Sequence, residues 1–82
     1  MTVLEKKSAH ATGKVVRAFG NLLQVRFEGN IRQGEVSMIQ LGETALKAEV
    51  IEIVGQEAKV QVYEDTSGVV LGMPVSFTGD LL

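Results

Sequence analysis

Apolar and polar residues alternate with a period of two over most of the chain, and the clearest run is Leu22 to Glu28. In it Leu23, Val25 and Phe27 alternate with polar residues. This alternation is typical of a strand with one buried face. Similar short segments predict further strands over 14–19, 35–40 and 75–78.

The stretch 43–63 predicts a long hairpin around which the other strands close. Residues 58–62 keep one parity, but earlier in the stretch the apolar parity changes between Val50 and Ile51. A strand changes parity by inserting an extra residue, so we expect a β-bulge or a sharp bend at these two residues. The segment 54–57 contains a glycine and has the length of a hairpin loop.

Six short strands with glycines near almost every junction predict an all-β chain, and no window has the apolar spacing of a substantial helix. Closure protects so small a sheet because it removes the open edges. We therefore expect a small closed six-stranded β-barrel with Greek-key-like and meander connections over 12–82, after a flexible segment 1–11. The two leucines that end the sequence suggest a fragment of a longer subunit.

The composition limits the chain to one domain and excludes several kinds of site. It has 82 residues and no cysteine, which excludes disulfides and thiolate zinc sites. No apolar run approaches the roughly 18 residues that a membrane span requires. Residues 1–11 lack the pattern of a signal peptide. We expect a cytoplasmic protein without direct membrane insertion.

Charge is unevenly distributed along the chain, whose net charge is −2. Residues 1–41 carry six basic and three acidic side chains, whereas 42–82 carry two basic and seven acidic ones. A mildly acidic chain is a poor candidate for binding a phosphate backbone. The split favours either a basic surface that meets an acidic one on a neighbour, or opposite charges that meet across strands within the barrel.

The chain carries no recognisable catalytic constellation. Residues 42–47 lack the second glycine and the hydroxyl of the phosphate-binding pattern G-x-x-x-x-G-K-[ST]. His10 is the only histidine and has no partner for catalysis or metal binding in the sequence. Glu64 and Asp65 are adjacent in a segment typical of a solvated turn. We expect no catalytic, cofactor-binding or metal-binding residue, and no enzyme activity in this chain alone.

Two other functions remain open for a small barrel. A single-strand nucleic-acid binder needs exposed aromatic residues and a basic groove. Phe27 and Phe77 lie at apolar positions and are expected in the core, which leaves Phe19 and Tyr63 exposed, the latter beside two acidic residues. We therefore expect no nucleic-acid partner. The second alternative is a free-standing adaptor that assembles through an edge strand.

The segment 60–68, VQVYEDTSG, is followed by Gly72, Pro74-Val75 and Thr78-Gly79. Together with 13–21, this order of elements resembles the N-terminal β-barrel of the archaeal and vacuolar-type rotary ATPases. Within that family, RQGEV at 32–36 and LKAEVI at 46–51 are more similar to the catalytic A subunit. The barrel of the non-catalytic B subunit stays an alternative because it shares the T-S-G turn.

The resemblance implies a barrel in the crown of the catalytic head, where A and B subunits pack near the peripheral stalk. Such a barrel supports ATP-driven proton or sodium transport, and the parent enzyme is a rotary ATPase peripheral to the membrane. ATP and magnesium would bind in the following domain of the parent subunit, so no cofactor is expected here. As exposed contact residues we expect Arg17, Arg32, Glu64 and Asp65.

Overall fold

The computed structural model describes residues 11–64, 66, 68–69 and 71–81. Six strands run through these residues, and no helix occurs among them. The strands are β1 (Ala11–Phe19), β2 (Leu22–Glu28), β3 (Glu35–Leu41), β4 (Thr44–Val54), β5 (Glu57–Val62) and β6 (Pro74–Leu81). The all-β prediction is confirmed.

The strands form one closed barrel in the order β1-β2-β5-β4-β3-β6, and every neighbouring pair is antiparallel. Strands β3, β4 and β5 form a meander, and β2 lies beside β5, which is the Greek-key arrangement. The predicted closure and both kinds of connection are confirmed.

The barrel has two ends that differ in their loops. The turn end carries the tight turns at 20–21 and 42–43 and the start of the β5–β6 connection, whereas the crossover end carries the β2–β3 connection 29–34 and the turn at 55–56. Each tight turn opens with a glycine at a φ of 61–62°. A left-handed glycine at the first of two loop positions is typical of a type II′ hairpin turn. Among the described residues only glycines have positive φ, so Asn21 does not share this conformation.

The bulge predicted in the long hairpin is confirmed. The register of β4 against β5 shifts between Val50 and Glu52, which leaves Ile51 as the extra residue. Val50 is fully buried and Ile51 is 37% exposed. The extra residue lets Ile53 turn back toward the core, against which it packs.

A second bulge, in β1, was not predicted. The register of β1 against β2 shifts between Val15 and Arg17. Here β1 ends its pairing with β6, whose last pair joins Lys14 to Pro74. The Gly72 N–H donates to the Val15 carbonyl oxygen at 2.7 Å. The connection before β6 therefore extends the seam, the β1–β6 pairing that closes the barrel.

Two strands are longer than predicted. Strand β1 begins at Ala11, a buried residue that the sequence pattern assigned to the flexible segment. The rest of that segment, 1–10, lies outside the described residues. Strand β6 continues past Thr78 to Leu81, where no alternation marks a strand. Both extensions exist because partner strands pair with them: Ala11 with Phe77, and Leu81 with Glu35.

The core consists of inward-facing aliphatic side chains and two aromatic rings. Phe27 and Phe77 are buried as predicted, and their rings meet edge to face with centroids 5.9 Å apart. Two polar residues, Glu35 and Ser37, are also fully buried, both on β3. The apolar core is Ala11, Val15, Leu23, Val25, Phe27, Ile39, Leu46, Ala48, Val50, Ala58, Val60, Val62, Val75 and Phe77.

Replacing Ser37 by alanine is expected to leave the barrel equally stable or to stabilise it by up to about 1 kcal/mol. Within the described part of the chain, the buried Ser37 Oγ has no hydrogen-bond partner, so its desolvation is not compensated. Urea denaturation of Ser37→Ala measures the change. The control is Ser76→Ala, on the outer face. A loss of stability in Ser37→Ala would show that the hydroxyl is satisfied.

Replacing Gly13 by alanine is expected to lower the free energy of unfolding by about 1–3 kcal/mol. Strands β1 and β2 approach closely here, and an added Cβ would lie 2.4 Å from the Arg26 carbonyl oxygen and 2.9 Å from Val25 Cγ1. Denaturant midpoints check this against Thr12→Ala, an exposed neighbour expected to change stability by less than about 0.5 kcal/mol. Equal midpoints for both variants would contradict it.

Candidate assembly surface

Strands β3 and β6 lie side by side, and apart from Asp80 their outward-facing residues are uncharged. The one charged residue of β3, Glu35, points into the barrel, and the one charged residue of β6, Asp80, lies near its end. We call the outward positions of these two strands the neutral face. It consists of Val36, Met38, Gln40, Pro74, Ser76 and Thr78.

Charged residues border the neutral face on both sides. On the β1 side Lys14 pairs with Pro74, and on the β4 side Lys47 pairs with Met38. The cores of protein–protein interfaces are depleted of charge and have a polar rim. The neutral face and its charged border therefore have the composition of a contact surface.

On the opposite wall, formed by β2, β5 and β4, four charged side chains form two ion pairs within the chain. Arg26 Nη1 lies 3.8 Å from Glu57 Oε2, and Lys59 Nζ lies 3.4 Å from Glu52 Oε1. Gln24 also donates a hydrogen bond to Glu57. Exposed ion pairs of this kind contribute about 0–1 kcal/mol each. For these pairs, the prediction that opposite charges meet across strands is confirmed.

The structure separates the residues predicted as contacts. Arg17 lies in β1 near the turn end, and Glu64 follows β5 at the same end. Arg32 lies in the β2–β3 connection at the crossover end. All three are exposed, whereas Asp65 lies outside the described residues. Their role as contacts stays a prediction.

Phe19 and Tyr63 are exposed, as predicted. Both lie toward the turn end, at the ends of β1 and β5. The Tyr63 hydroxyl donates a hydrogen bond to Glu49 Oε1. This bond, together with desolvation and the negative charge of Glu49, raises the pKa of Tyr63 above its usual value. An acidic partner does not favour stacking against nucleic acid, whose phosphates are negative.

Sequence reasoning missed Glu35, whose carboxylate is fully buried. Its oxygens accept the backbone N–H groups of Arg32 and Gly79, so two segments quoted for the family resemblance, 32–36 and 78–79, meet at this residue. Strand parity was the available signal, because Ile39 is buried and residues at 37 and 35 therefore point inward.

The described residues contain no group of three or more histidine, aspartate or glutamate side chains placed to hold a metal ion. They also contain no helix of the length and hydropathy that crossing a bilayer requires.

Comparisons with known proteins agree on one family. A family model described as the ATP synthase alpha/beta family, beta-barrel domain, matches residues 15–79. The chain is 64% identical over 81 residues to the V-type ATP synthase alpha chain of Protochlamydia amoebophila, covering 99% of this chain. It is 60% identical over 70 residues to the same subunit of Chlamydia caviae and 57% identical over 72 residues to that of Chlamydia pneumoniae.

The match covers only a small part of these relatives. The chain spans 14% of the length of the Protochlamydia protein and 12% of each Chlamydia protein. All three relatives are alpha chains, which confirms the predicted resemblance to the A subunit.

Ultraviolet titration of Tyr63 is expected to give a midpoint above the usual value of about 10. Tyr63 is the only tyrosine and the chain has no tryptophan, so the signal is unambiguous. Glu49→Gln removes the charged acceptor and is expected to lower the midpoint, whereas Glu52→Gln is the control. A midpoint unchanged by Glu49→Gln would contradict the assignment.

The raised pKa also fixes the direction of the pH dependence of stability. The folded state holds the Tyr63 proton more tightly than the unfolded state. This contribution to stability is fully present below the unfolded pKa and is lost as the pH rises through the folded pKa.

Proposed function

Because the chain belongs to the ATP synthase alpha/beta family as its β-barrel domain, we propose that it is an assembly module of the catalytic head of a V-type ATP synthase. In this role the barrel packs beside the barrels of neighbouring A and B subunits and supports ATP-driven proton or sodium transport without performing the chemistry. The observation that carries the proposal is 64% identity over 99% of the chain to a V-type ATP synthase alpha chain.

The neutral face is the surface that we assign to a neighbouring barrel. Each strand of the closed sheet already has two paired neighbours, so none of the six described strands has a free edge to which another chain could add. A neighbour must then pack against side chains on the outside of the barrel. Covering the uncharged face costs less desolvation energy than covering the charged wall around Arg26 and Glu57.

The charged residues at the two ends have a secondary role in this proposal. Arg17 and Glu64 orient neighbours at the turn end, and Arg32 does so at the crossover end. Asp65, which lies outside the described residues, is a further candidate contact. Exposed charges of this kind contribute more to orientation and association rate than to affinity. The peripheral stalk is a further candidate partner at the head.

The remaining functions belong to the longer subunit. ATP and magnesium bind in the part of that subunit beyond this barrel, and the head lies in the cytoplasm at the membrane surface. The large share of the relatives that this chain does not cover is consistent with that division.

Ser76→Asp is expected to weaken assembly of the longer subunit with its B partner by roughly tenfold or more, since about 1.4 kcal/mol suffices for that change. The new carboxylate lies on the neutral face and must be desolvated without a partner. Native mass spectrometry of the mixed subunits measures the assembled fraction.

The matched control is Gln61→Asp, a half-buried outward position on β5, on the opposite wall. It is expected to leave assembly unchanged, and circular dichroism verifies that both variants fold. Equal assembly of the two variants would remove the neutral face from the proposal while leaving family membership untouched.

A further inference from the structure

Glu35 is the one charged residue among the buried residues of the described chain. It stands at the start of β3, at the crossover end, where β3 pairs with the last residues of β6. Burying a carboxylate is costly unless hydrogen bonds compensate it. The hydrogen-bond donors to its carboxylate must therefore account for its burial.

The pairing of β3 with β6 is irregular next to Glu35. Glu35 pairs with Leu81 and Ser37 pairs with Phe77, so one residue of β3 opposes the three residues 78–80 of β6. Such a bulge interrupts the regular ladder of backbone hydrogen bonds. Backbone N–H groups of the bulged segment then need other acceptors.

The Glu35 carboxylate supplies one of these acceptors. Oε2 accepts the Gly79 N–H at 2.8 Å, and Oε1 accepts the Arg32 N–H at 2.9 Å. A carboxylate suits this position because both of its oxygens only accept hydrogen bonds. It thereby joins the β2–β3 connection to the end of β6.

Both backbone polar groups of Gly79, its N–H and its carbonyl oxygen, form hydrogen bonds with side chains. Its carbonyl oxygen accepts a hydrogen bond from Arg32 Nη2 at 3.3 Å, and its φ of 88° is a conformation that favours glycine. Next to it, the Thr78 hydroxyl donates to the Val36 carbonyl oxygen at 3.0 Å and accepts the Asp80 N–H at 3.1 Å. Side chains thus fix the backbone of this segment where the ladder does not.

We propose that Glu35 is a positioning residue that sets the direction in which the chain leaves the barrel after Leu81. The buried carboxylate and Arg32 clamp Gly79 against the β2–β3 connection, while the core holds the barrel wall independently. In a longer protein built on this barrel, the segment after Leu81 inherits that direction. The proposal rests on contacts within this chain and does not depend on the assembly role.

The test compares Glu35→Gln with the wild-type 82-residue chain by nuclear magnetic resonance. Glutamine has one acceptor oxygen and one donor nitrogen, so it satisfies only one of the two N–H groups. We expect hydrogen exchange at the Gly79 or Arg32 amide to accelerate roughly tenfold to a hundredfold, as for loss of one bond to a charged group. Exchange at Val25 and Val60, in the core, is expected to stay the same.

Residual dipolar couplings provide the readout of direction. In Glu35→Gln the couplings of residues 79–81 are expected to change relative to those of the barrel strands. The matched control is Glu28→Gln, an exposed carboxylate at the end of β2, which is expected to change neither measurement.

Two results would overturn the proposal. Unchanged hydrogen exchange and unchanged dipolar couplings at Gly79 in a folded Glu35→Gln variant would show that the carboxylate does not position residues 79–81. If hydrogen exchange accelerated equally at the core residues and at residues 79–81, Glu35 would only stabilise the barrel as a whole. If Glu35→Gln does not fold, Arg32→Ala removes the bond to the Gly79 carbonyl oxygen alone, and unchanged couplings in that variant would also overturn it.

Discussion

Closure of the sheet is the constraint on which the rest of this structure depends. The seam between β1 and β6 has only four residue pairs, and the backbone bonds of Val15 to Gly72 and Met73 extend it. A chain of 82 residues buries a limited fraction of its surface, and its described residues contain no helix that could cover the backbone groups of an open edge. The arrangement of both walls and both ends of the barrel depends on this pairing of β1 with β6.

Closure also requires the strands to bend, and the bends occur at three shifts of register. They lie between Val15 and Arg17, between Val50 and Glu52, and opposite the segment 78–80 of β6. Each removes residues from the regular ladder and changes which side chains face inward. Only the third is accompanied by a buried charge, Glu35, whose carboxylate accepts the Gly79 N–H of the bulged segment.

The outer surface divides according to how its charges are used. Around β2, β5 and β4, two ion pairs form across strands within the chain, Arg26 with Glu57 and Lys59 with Glu52. The neutral face has no charges to pair, so a protein partner can cover it at a low cost in desolvation energy. This division of the outer surface is compatible with the assembly role that we propose for the neutral face.

The sequence by itself determined the strands, the tight turns and the bulge at Ile51, because alternation, glycine and a change of parity are local signals that act within a few residues. The sequence also indicated the family, through short segments spread along the chain. The tertiary structure alone decided the strand order, the bulge in β1, the pairing of Glu35 with Leu81 and the separation of Arg32 from Arg17. These features depend on which distant strands pair and in which register, and a pairing between residues tens of positions apart leaves no periodic mark on either segment.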